Sequence, residues 1–66
     1  MDEEALNMSI RKFLKKVGIT SQREIERAMD KANSDGRLDG NPVAVRITLE
    51  CDLIDEALSI ESEIEY

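Results

Sequence analysis

Histidine and tryptophan are missing from this chain, cysteine and proline occur once each, and Phe13 and Tyr66 are the only aromatic residues. Without histidine, and with Cys51 alone, no finger-type zinc set can be assembled. A single cysteine also excludes an internal disulfide. No apolar run approaches the ~18 residues of a membrane span. The start, "MDEEALNMS", lacks the basic flank of a secretory signal. These absences point to a soluble, cytoplasmic protein of bacterial kind. They also remove the usual staples of a 66-residue domain, which buries only about 60% of its unfolded surface.

Positive charge is in short supply as well: nine Lys/Arg face fifteen Asp/Glu, a net charge of −6. The deficit is uneven. Up to Gly36 the two signs balance. Beyond it, Arg37 and Arg46 stand against Asp39, Glu50, Asp52, Asp55, Glu56, Glu61, Glu63 and Glu65. Such a chain repels nucleic acid and anionic membrane at long range.

What is present divides into a helical half and a strand half. Leu6, Ile10, Phe13, Leu14 and Val17 recur at helical spacing, with Arg11, Lys12, Lys15 and Lys16 on the opposite side. A first helix is expected over 2–17, ended by Gly18 as a left-handed cap. Ser21 with Glu24 reads as a capping box that starts a second helix over 21–34. Its apolar stripe is Ile25, Ala28, Met29 and Ala32, and Gly36 can stop it. Residues 35–42 are expected as a loop. After Pro42 the period falls to two. Val43, Val45, Ile47 and Leu49 share one face of a strand at about 43–50, and Leu58, Ile60, Ser62 and Ile64 one face of a strand at about 57–65. A hairpin centred near Leu53 and Ile54 sets Ile47 opposite Ile60, Leu49 opposite Leu58 and Arg46 opposite Glu61. A partly helical course for 53–64 is the rival reading. The expected fold is α+β, a single domain in which an N-terminal αα-hairpin packs on a two- or three-stranded antiparallel sheet. The region of Leu38, or a strand from a second copy, would supply the third strand.

The segment "KKVGITSQREIE" has the look of a DNA-binding helix-turn-helix, so nucleic-acid binding through 11–31 is the alternative function. Its details do not fit. The apolar residue expected six positions after the Gly comes seven after it, as Ile25, which rotates the second helix by about 100°. Leu14 stands where the helix crossing wants a small residue. Phosphate neutralisation also supplies most non-specific affinity, and this chain is acidic.

No catalytic set emerges. Cys51 lies between Glu50 and Asp52, and no histidine is present to act as its base. "GRLDGNP" has two glycines but no Lys-Ser/Thr pair for phosphate. Glu61, Glu63 and Glu65 share the wet face of a strand, where they discourage edge-to-edge aggregation. No cofactor or metal is expected, no small-molecule substrate, and no enzymatic activity. The candidate binding surface is cationic: Met8, Arg11, Lys12, Lys15 and Lys16, with Arg23 and Arg27 on the next segment.

"NMSIRKFLKKVGITSQREIE", residues 7–26, resembles the opening of a family of small bacterial proteins, a domain of unknown function about as long as this chain. "GRLDGN", "ITLE" and "SEIEY" are similar to that family's loop and two strand segments, with Ser62 standing in place of an expected Gly. The resemblance implies a complete natural protein and carries no activity to transfer. The expected role is a small non-enzymatic interaction or accessory domain. A protein partner, or a second copy added at a sheet edge as a homodimer, is expected ahead of nucleic acid.

Overall fold

The computed structural model describes all 66 residues as one helix followed by one hairpin: α1 (Glu3–Ser34), β1 (Val43–Leu49) and β2 (Leu58–Ile64). Asp2 caps α1 at its start, its carboxylate accepting from the backbone N–H groups of Glu4 and Ala5 at 3.0 and 3.1 Å. Glu3 and Glu4 add negative charge to the first turn and Lys31 positive charge to the last, each favourable to the helix dipole.

The expected αα-hairpin is not there. α1 runs without interruption through Gly18, Ile19, Thr20 and Ser21, and Gly18 does not take the positive φ of a helix-ending glycine. The reason is a matter of magnitude. A glycine inside a helix costs about 1 kcal/mol relative to alanine. A break would leave up to four amides and four carbonyls without helical partners on its two sides. The apolar pattern also continues in phase across Gly18. At about 100° per residue, Leu6, Ile10, Phe13, Leu14 and Val17 share one sector of roughly 120° with Ile25, Ala28 and Ala32. Ser21 and Glu24 form no cap. Glu24 instead meets Arg27 at 3.2 Å, while Gln22 donates to Glu26 at 2.9 Å.

The true stop is at Gly36. Its N–H donates to the carbonyl of Asn33 at 3.2 Å and that of Arg37 to the carbonyl of Ala32 at 2.9 Å, the Schellman pattern around a residue with φ of 70°. Gly36→Ala is therefore expected to destabilise by about 1–2 kcal/mol from backbone strain alone, since a Cβ there would meet no other atom. Thermal melting at fixed protein concentration reads that loss.

The loop that follows is held by two hydrogen bonds. The C-terminal Tyr66 hydroxyl accepts from the Gly40 N–H at 2.6 Å, and Asp39 accepts from the Asn41 N–H at 2.9 Å. Hydrogen bonds from the Asn41 backbone, then from its side chain, lower the Asp39 pKa below its ordinary value. A depressed carboxylate pKa means that its stabilising contribution is present above the unfolded pKa and is lost as pH falls through the folded one. A carboxyl-carbon NMR titration is expected to place the Asp39 midpoint below the ordinary value of about 3.9, and urea should return it toward that value.

The hairpin has the register expected from alternation. Ile47 pairs with Ile60, Leu49 with Leu58, and Arg46 with Glu61 across an antiparallel ladder. The Arg46–Glu61 ion pair is 3.7 Å long. Residues 53–57 are loop, so the partly helical alternative does not hold. The sheet has two strands only, and the Leu38 region adds none.

The inner apolar face of the hairpin looks toward α1. Phe13, Leu14 and Val17 on the helix and Ile47, Leu49 and Ile60 on the sheet line a cavity of about 190 Å³ between the two layers. No residue of the chain is fully buried. One helix over two strands is too narrow to close a core, and the molecule is long, 52 × 23 × 16 Å.

Candidate interaction surface

A continuous α1 gathers the sequence-derived candidates on one side. At about 100° per residue, Met8, Lys12, Lys15 and Arg23 fall opposite the apolar stripe, while Arg11, Lys16 and Arg27 lie toward its two margins. All are exposed. Only Arg27 among the cations is in an ion pair, with Glu24. Glu26 and Asp30 interrupt the same side toward the C-terminus, so unopposed positive charge concentrates over 11–16. The turn on which a helix-turn-helix reading of 11–31 depends is absent, and with it the second helix that would enter a groove.

The acidic side chains do not converge either. Glu61 and Glu63 stand on the outer sheet face with Arg46, and no group of His, Cys, Asp and Glu is arranged to hold a metal ion. Cys51 is a free, exposed thiol in the loop between the strands. No helix is long and apolar enough to cross a membrane.

The prominent feature lies on the other side, in residues whose spacing marks them as core. The molecule has a covered end and an open end. At the covered end Val17, Ile25, Met29 and Ala32 of α1 are half-buried, as are Val45, Ile64 and Leu38. At the open end Phe13 is 50% exposed and Leu14 58%, while across the cavity Leu58 is 51% exposed and Ile60 60%. On β1 the apolar residues Val45 and Leu49 are half-buried, so the helix shields β1 better than this end of β2. Ile10, Phe13 and Leu14 also border a wider hollow with Leu49, Glu50, Cys51, Asp52 and Ile54. The pattern of apolar residues locates this face in the sequence but does not say that it stays open. The signal for that is arithmetical: after the loops are set aside, one helix and two short strands are too few elements to cover one another.

No curated protein and no solved structure matches the chain. The family model that does match is described as a family of unknown function (DUF6494), and it spans residues 1–66. A match over the whole length agrees with the resemblance carried by residues 7–26 and by the strand segments, and the chain belongs to this family of unknown function.

Proposed function

We propose that this chain is a non-enzymatic interaction domain of the bacterial cytoplasm, whose working partner is a protein. The observation that carries this reading is the open apolar end: Leu6, Ile10, Phe13, Leu14, Leu58 and Ile60 stay 40–60% exposed. Large contiguous apolar surface of this kind marks protein interaction sites. The exposed, unpaired Cys51 fits a reducing compartment. Absence of a convergent acid, base and nucleophile supports an accessory role over catalysis. A photo-crosslinking residue placed at Phe13 is expected to trap protein in cells, and the same residue at Asn33, outside the open end, is expected to trap little. Equal trapping at both positions overturns the reading. Titration with duplex DNA at low salt is expected to show no binding, given the net charge of −6.

A further inference from the structure

We infer that the partner at the open end is a second copy of this chain, bound about a two-fold axis. This rests on the interaction reading above and names the occupant. Two observations carry it.

The first is area. The chain exposes 6261 Å², whereas a compact folded protein of 7.5 kDa exposes about 4,250 Å². Its radius of gyration is 15.9 Å, against about 11 Å for a compact domain of this length. The excess is roughly 2,000 Å² per chain, which is what one partner of an obligate homodimer removes from water. A peptide strand added to one edge would cover only a fraction of it.

The second is charge. A two-fold interface brings the same patch together from both sides, so the patch must complement itself. This one does. Along the helix it is bordered by Lys16, which lines a groove with Phe13 and Val17 and has no ion-pair partner within its own chain. At the hairpin tip it is bordered by Glu50 and Asp52, which line the hollow beside Phe13. A half-turn lays Lys16 of each copy against the acids of the other, with Phe13, Leu14 and Ile60 at the centre. The acidic outer face of β2, with Glu61 and Glu63, disfavours the alternative of joining two β2 edges into one sheet, because it sets like charges close together.

Sedimentation equilibrium of the full chain from 5 to 200 μM is expected to give a mass of twice 7.5 kDa. A monomer throughout, or a trimer or larger assembly, overturns the inference. Since Phe13→Asp also removes a contact between helix and sheet, the decisive variants are charge reversals. Lys16→Glu, and separately Glu50→Lys with Asp52→Lys, are each expected to weaken the dimer by about tenfold or more, and an equimolar mixture to restore it. Dimerisation unaffected by either reversal, or no recovery on mixing, overturns the arrangement. Binding of an apolar dye separates this failure from that of the interaction reading. A monomer that binds dye excludes the second copy and leaves the open end free for another protein, whereas a folded monomer that binds none removes both.

Discussion

Gly18→Pro is expected to cost at least about 3 kcal/mol and to leave the chain largely unfolded. Proline at this position removes the N–H that bonds back along the helix and drives its ring into the carbonyl four residues earlier. In the expected αα-hairpin, Gly18 would be a left-handed cap, which proline with φ locked near about −65° cannot adopt either, so alanine is the variant that separates the two geometries. In the structure Gly18 sits in the middle of a 32-residue helix. Gly18→Ala supplies the control of opposite sign. A Cβ at position 18 meets nothing within 4 Å, and the backbone is helical, so alanine should stabilise by about 0.5–1 kcal/mol. A left-handed glycine cap would give the reverse, as expected for Gly36→Ala. Circular dichroism melts of Gly18→Pro, Gly18→Ala and Gly36→Ala at matched concentration separate the two geometries, because the signs differ and not merely the sizes.

Ile25→Asp is the second large effect. Ile25 is half-buried in the stripe beneath the hairpin. Replacing it forfeits about half of the roughly 1.5–3 kcal/mol that a fully buried isoleucine contributes and sets a carboxylate against apolar neighbours. A loss of about 2–3 kcal/mol follows, a large fraction of what a domain of this size holds. Ile19→Asp, by contrast, should change stability by no more than about 0.5 kcal/mol. Ile19 is 51% exposed and lies near Met8 and Lys12 around the helix, not under the sheet. In a helical hairpin with a left-handed cap at Gly18, Ile19 would fold back onto the last turn of the first helix, and its loss would be felt. Urea denaturation of the two variants distinguishes the geometries.

The strand half was the more legible part of the sequence. Its alternation has a period of two, and a slip of one residue would turn every apolar side chain to water. Val43, Val45, Ile47 and Leu49 therefore fix their own face, and the Arg46–Glu61 pair fixes the register from the other. The loop and its stop at Gly36 were legible because glycine there satisfies a backbone demand. Gly18 was not, because the same residue serves as a stop in one context and as a tolerated weak point in another. What decides between them is whether a second, reversed helix would bury enough to replace the hydrogen bonds lost at the break. The stripe Ile25, Ala28, Met29 and Ala32 is too light for that, and a straight helix keeps it in line with Leu6–Val17 over one sheet. The cationic side chains fall along one continuous helix and not on two. The open end was not legible, because spacing reports which side chains share a face and says nothing about how much protein exists to cover it.

The hairpin register has a consequence for time. Strand partners are separated by as little as the step from Leu49 to Leu58 and at most by that from Val43 to Ile64, and the helix forms from contacts within a turn. With so few distant loops to close, each chain acquires its secondary structure in microseconds to milliseconds. Meeting a second chain is slower and depends on concentration. In a two-chain assembly, maturation is therefore second order: the initial rate rises with the square of the concentration of free chains, and a cell that makes few of them holds each one longer with its apolar face in water.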